Sequence, residues 1–190
     1  MKSNGIATTK KSAITSIAIC AVFTALTCVF TMFIQVPVLP AMGGIVHFGN
    51  VPLFIAAAFW GKRTGAIAGG VGMALSDLLT PWAIWAPVSL VTVGLMGFVF
   101  GLITDRKPTL PRLILASAAV LIIKIAGYYI GEVILYGNLI APLASVPGNI
   151  TQIAVGAVIS IPIITLLKSA LPGFESKSRP AHGTSRECQR

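Results

Sequence analysis

Lys124, Tyr128 and Glu132 stand at successive four-residue steps inside an apolar run from Leu113 to Tyr136. Residues four apart lie on one face of a helix, so an ammonium, a phenol and a carboxylate share a single stripe. Their neighbours are hydrocarbon: Leu121, Ile122, Ile123, Ile125, Ile130, Val133 and Ile134. A charge at mid-bilayer costs roughly 2.5–3.5 kcal/mol even on the lenient insertion scale. Something must offset that cost. Contact with a polar solute would do so; so would pairing of Lys124 with Glu132, or of either with Asp77.

The elements that carry this stripe belong to a membrane. The 190-residue chain is 55% hydrophobic and only 10% charged, with a mean hydropathy of +0.89. Soluble domains average about 25% charged residues, so much of this surface faces lipid. A net charge of +9 would suggest a nucleic-acid partner, but the basic residues sit at the ends of apolar runs, where they report membrane orientation instead. Cys20, Cys28 and Cys188 form neither a disulfide framework nor a metal-ligand spacing, and no cofactor is implied.

Residues 1–12 are polar and basic, and Ala13 to Ile34 runs without a charge. That run is longer than the roughly 7–15 apolar residues of a signal peptide, so it reads as a first span. Gln35–Gly44 is punctuated by Pro and Gly and predicts a loop. Val51–Trp60 and Gly65–Leu79 are short runs separated by Gly61-Lys62-Arg63-Thr64. They read as spans two and three, with a re-entrant hairpin as the rival. Thr80–Pro87 is an aromatic, proline-bounded loop. Val88–Thr104, Leu113–Tyr136 and Gly148–Leu171 are spans four to six, the last kinked at Pro162. Residues 172–190 are polar and predict a disordered cytoplasmic tail. The fold class is therefore an all-α membrane protein of six helices, with one domain over residues 13–171.

With six spans, thirteen of the fourteen Lys and Arg residues fall on one side, and the fourteenth is Lys124. The positive-inside rule then places both termini in the cytoplasm. In that orientation Lys124 lies near the midplane. Glu132, Asp77, Asn149 and Gln152 lie toward the outer surface, and His47 and Asn50 at the outer entrance of span two. Trp82, Trp85 and Tyr136 occupy outer loops or their edges. Polar groups crowd the outer half and the inner half is apolar, which describes a cup rather than a channel. Each residue also has an ordinary reading: aromatics as interface belt, His47 as a solvated loop residue, Asn149 as a helix cap.

Small residues recur at four-residue spacing: Ala21xxxAla25, with Ala18 on the first span, then Gly65xxxGly69, Ala68xxxGly72 and Gly97xxxGly101. Such faces let helices approach closely in lipid. In spans three and four they serve internal packing; on span one they offer a surface to a partner.

Two features carry a resemblance: the Ala21xxxAla25 pair, and the segment GGIVHFGNVPLFIAAAFWGKRTGAIAGGVGMALSDLL (Gly43–Leu79), followed by WAP and a Gly-bearing fourth span. In these, and in six short spans, residues 13–171 resemble the substrate-binding S components of energy-coupling factor (ECF) vitamin transporters. The resemblance implies that span one docks on a transmembrane T subunit driven by two cytoplasmic ATPases. It implies a water-soluble vitamin or precursor, of the riboflavin, pyridoxine, hydroxymethylpyrimidine or pantothenate class, bound near the outer face. His47, Asn50, Lys124, Tyr128, Glu132, Asn149 and Gln152 are the candidate ligand contacts, with Asp77, Trp82 and Trp85 beside them. Pairing of Lys124 with Glu132 favours a zwitterionic or heteroaromatic ligand, and an unpaired Lys124 favours an anion such as pantothenate.

No GxxxxGK[ST] motif occurs, so ATP hydrolysis would fall to partner subunits. Neither GxSxG nor HExxH accompanies the serines in or near the spans, which argues against an enzyme. A solitary secondary transporter, the main alternative, would need polar groups open to both sides and often shows internal repeats.

Overall fold

The computed structural model describes residues 4–39 and 44–170, with side chains described for 14–36 and 46–170. The expected tail at 172–190, with Cys188, lies outside the described residues. In chain order the elements are α1 (Asn4–Phe33), β1 (Gln35–Leu39), β2 (Gly44–His47), α2 (Asn50–Trp60), α3 (Lys62–Leu78), α4 (Ala86–Thr104), α5 (Leu110–Tyr136) and α6 (Val146–Ala170). Short 3-10 turns lie at Ala83–Trp85 and Ala141–Ser145. Among the described residues the regular structure is all helical apart from the hairpin. α1 starts inside the polar segment expected to precede the first span, and α6 continues through Pro162 rather than ending there.

Among the described residues, four stretches are long and apolar enough to cross a membrane: Ile14–Phe33, Ala83–Thr104, Leu110–Tyr136 and Ala141–Ala170. α2 has 11 residues, and at about 1.5 Å per residue it is only about 16 Å long. α3 has 17 residues and falls just short. Length and apolar composition together therefore give four helices able to cross.

Proline and glycine set the boundaries. α4 and α5 each carry proline in the first turn, where its missing N–H is harmless. Gly137 closes α5 at φ 63°, a left-handed conformation that glycine adopts without penalty. Gly61, at φ 86°, makes the tight turn between α2 and α3.

Pro and Gly punctuation predicts a loop over 35–44, but the structure pairs it. β1 and β2 run antiparallel, with Gln35 opposite His47 and Val36 opposite Val46. β-branched Val36, Val38, Ile45 and Val46 favour extended backbone. A two-stranded ribbon consists only of edge strands, which tolerate Pro37.

Lipid supplies no hydrophobic force between helices, so close packing must hold them. α3 and α4 make the most extensive contact in the bundle. A Cβ on Gly65 would stand 2.6 Å from both the Ala57 Cβ and the Gly97 carbonyl oxygen. Beneath the hairpin, Leu53, Phe54, Val93, Met96, Phe100, Leu113, Ala116 and Val120 form an apolar core, with Phe54 and Phe100 stacked at 4.5 Å and 7°. Gly65→Val should push α3 off α4 and destabilise the bundle by about 1–3 kcal/mol. A lowered melting temperature in detergent would register it; an unchanged one would mean that this contact is not tight.

Candidate ligand-binding cavity

The helix ends nearest the hairpin surround a cavity of about 560 Å³. Its lining comes from the end of α1 (Thr31, Met32), the hairpin (Gln35, His47), the end of α3 (Met73, Ser76, Asp77) and the following loop (Thr80, Pro81, Trp82, Trp85). The start of α4 adds Ser89, α5 adds Lys124, Tyr128, Glu132 and Tyr136, and the 141–145 turn with α6 adds Ala141, Ala144, Ser145, Asn149 and Gln152. Nine of the ten residues singled out from sequence thus converge on one space.

Its floor is built by α5. Lys124 continues a buried face through Leu113, Ala116 and Val120 and is 1% exposed. Its Nζ lies 4.7 Å from the centre of the Tyr128 ring, an arrangement in which the ring's negative face attracts the cation. Tyr128 Oη and Ser89 Oγ are hydrogen-bonded at 3.0 Å. Glycines on either side of Tyr128 permit this: a Cβ on Gly127 would meet Thr92, and one on Gly131 would meet Val88, each at 2.5 Å. α5 consequently lies hard against α4.

Lys124 and Glu132 do not pair. Eight residues of helix separate them by about 12 Å, and Glu132 lies near Ser145 instead, whose hydroxyl donates to the Pro142 carbonyl at 2.9 Å. Asp77, in the last turn of α3, feels the charge of Lys124. Even so, no ion pair closes among these described residues, and Asp77 Oδ2 is buried without a hydrogen-bond partner. Ser89 faces Asp77 as well as Tyr128.

The aromatic wall is Trp85, whose ring centre lies 6.3 Å from Tyr128 and 6.0 Å from Tyr136. Trp82 is half exposed at the rim. Asn149 sits inside α6, which begins at Val146, so it is a wall residue rather than the helix cap its type suggested. Gln152 is buried one turn deeper. Asn50 is the exception. It starts α2 and turns into the core, with its Cβ 3.0 Å from where a Cβ on Gly156 would be. It does not line the cavity, and both its amide atoms lack partners.

Gln35 was not anticipated, because only the strand register sets it opposite His47. Thr31, Ser76, Ser89 and Ser145 were also not assigned. Single hydroxyls near helix ends carry no distinguishing spacing. Among the described residues, no group of three His, Cys, Asp or Glu side chains could hold a metal ion.

The basic residues gather at the other end of the bundle. Arg106 packs over Gly61, Arg112 Nη1 donates to the Thr104 carbonyl at 3.3 Å, and Lys168 Nζ donates to the Pro108 carbonyl at 3.2 Å. The apolar core lies between that end and the cavity. Ala18, Ala21 and Ala25 are exposed on α1. Ala21 and Ala25 line an apolar groove of about 730 Å³ between α1 and α3.

A polar cup over an apolar core is what the depths of the polar residues predict, and sequence comparison decides the family. The profile of the ECF-type riboflavin transporter S component matches residues 11–169. The chain belongs to that family. A thiamine precursor transporter, HmpT, of Lactococcus lactis subsp. cremoris is 30% identical over 163 residues, covering 85% of this chain and 93% of the relative. An "uncharacterized protein in gap 3′ region" of Pyrococcus woesei is 32% identical over 109 residues, 57% of this chain and 72% of the relative. This S component is therefore a multi-pass membrane subunit of vitamin-type transport, not an enzyme.

Proposed function

We propose that the protein captures a water-soluble vitamin or vitamin precursor outside the cell and hands it inward through an ATP-driven ECF complex. The observation that carries this reading is the convergence of charged, amide and aromatic side chains from α3, α5, α6, the 80–85 loop and the hairpin on one cavity, at the end of the bundle opposite the basic loops. An apolar pocket with a few placed polar groups is the usual small-molecule site.

The orientation follows from charge. α2 and α3 together add two short crossings to the four long ones, α2 drawing on the hairpin for length. Six crossings put both termini and every basic loop in the cytoplasm, so the cavity opens outward. The apolar core closes its inner side, interrupted among the described residues only by isolated buried groups such as Asn50 and Ser160. Release inward then requires the whole subunit to move against its partners. The T subunit and two ATPases expected of an ECF complex supply that work, and the α1 alanine face is where the T subunit docks. The family description names riboflavin and the Lactococcus relative a thiamine precursor, so the solute belongs to that range of small, flat, water-soluble compounds.

Native mass spectrometry of the protein purified in detergent tests capture. A vitamin-sized molecule should accompany the protein and be released on denaturation, and C-terminal reporter fusions should be active only in the cytoplasm. Solute movement by this chain alone in liposomes would overturn the reading in favour of a secondary transporter.

A further inference from the structure

Two basic loops meet at the end of the bundle away from the cavity. Gly61-Lys62-Arg63 lies where α2 passes into α3, and Asp105-Arg106-Lys107 lies where α4 passes into α5. A Cβ on Gly101 would stand 2.5 Å from the Lys62 backbone nitrogen, so the end of α4 is packed hard against the start of α3. Asp105 and Arg106 both take positive φ, 46° and 55°, a conformation uncommon outside glycine. This double left-handed turn accompanies an Arg106 side chain folded back over Gly61, with Nε 2.9 Å from where a Cβ there would be. The bonds from Arg112 to Thr104 and from Lys168 to Pro108 fasten the same loop. Four exposed cations, Lys62, Arg63, Arg106 and Lys107, share these two loops with one carboxylate, Asp105. Like charges gathered this way repel, and an anion from outside the chain would offset that repulsion.

Depth selects among anions. Lys62 leans back along the bundle, with its Nζ 5.3 Å from the centre of the Phe98 ring. Phe98 belongs to a stripe on α4 with Val91, Leu95 and Leu102, each of them exposed and all on one helical face. In a membrane that stripe faces acyl chains, and the ammonium beside it stands where hydrocarbon gives way to headgroups. A soluble anion or an acidic protein loop approaches from the water. A phospholipid brings a phosphate to this depth and hydrocarbon to cover the stripe as well.

We propose that this end of the protein holds an anionic phospholipid, its phosphate between Lys62 and Arg106 and its acyl chains along α4. Arg63 and Lys107 add positive charge around the headgroup. The planar fork of arginine suits a phosphate, and basic clusters beside membrane helices attract anionic headgroups. The orientation proposed above puts this lipid in the inner leaflet. The site is independent of the solute taken up at the opposite end of the bundle.

Native mass spectrometry of the full chain in detergent, after addition of phosphatidylglycerol or phosphatidylcholine, tests the proposal. Phosphatidylglycerol should be retained about tenfold more than phosphatidylcholine. Lys62→Gln combined with Arg106→Gln should lower its retention to the phosphatidylcholine level. Lys10→Gln combined with Lys11→Gln, an equal loss of charge in the N-terminal segment, should leave it unchanged. Equal retention of the two lipids by the wild type would overturn the proposal, and so would equal losses in the two double variants, which would leave only general charge attraction. Unchanged retention after removal of Lys62 and Arg106 would do the same, and lost uptake alongside it would give the cluster to an acidic surface of a partner subunit. If that variant does not fold, the wild-type melting temperature decides. Phosphatidylglycerol should raise it more than phosphatidylcholine does, whereas an equal rise with inorganic phosphate would mean an aqueous anion site and overturn the lipid assignment.

Discussion

Replacing Lys124 should cut ligand affinity at least tenfold, equivalent to about 1.4 kcal/mol. Among the described residues Lys124 is the one Lys or Arg lining the cavity, and it is almost wholly buried. A hydrogen bond to a charged donor contributes about 1.5–3 kcal/mol, which makes tenfold the lower bound. Lys124→Ala removes the charge and also leaves a void beneath Tyr128. Lys124→Met removes the charge and keeps most of the volume. If the ammonium acts on the ligand, both variants lose affinity alike. If it only fills space, Lys124→Met binds like wild type. Titration of the purified variants against whichever ligand binds the wild type separates these outcomes, with elution volume and helical circular dichroism as controls for folding. Unchanged affinity in both variants would leave the cavity without its proposed floor.

How much of this could be read beforehand depended on whether the relevant geometry was local. The stripe of Lys124, Tyr128 and Glu132 follows from helical period alone, so its shared face was legible. The same period also sets Lys124 and Glu132 about 12 Å apart, which already spoke against their pairing. The grouping of Asp77, Trp85, Asn149 and Gln152 followed from membrane depth, because groups at one depth in a small bundle have few places to go. What depth does not give is rotation about the helix axis. Asn50 has the same depth as His47 but points into the core at Gly156. Ser89 points into the cavity because Gly127 and Gly131 bring α5 hard against α4. The hairpin was missed for a different reason: prolines and glycines signal a break in helix, yet the β-branched residues between them were enough to pair two short strands.

Ala21→Trp should abolish uptake while leaving ligand affinity within about twofold of wild type. Ala21 faces away from the cavity on α1, exposed in an apolar groove with Ala25 one turn along. An exposed small-residue face in lipid has no role in holding its own helix to the bundle, but it lets a second helix approach backbone to backbone. An indole at this position would hold such a helix off and leave the cavity, at the far end of α1, untouched. Uptake of labelled solute by cells supplying the partner subunits reads the first effect, and titration of the purified variant reads the second. Ala21→Ser, small enough to preserve the approach, should transport normally and so controls for the substitution itself. Loss of binding with complexes still assembling would show that α1 shapes the cavity rather than the interface. Normal uptake by Ala21→Trp would mean that the partner docks on another face of the bundle.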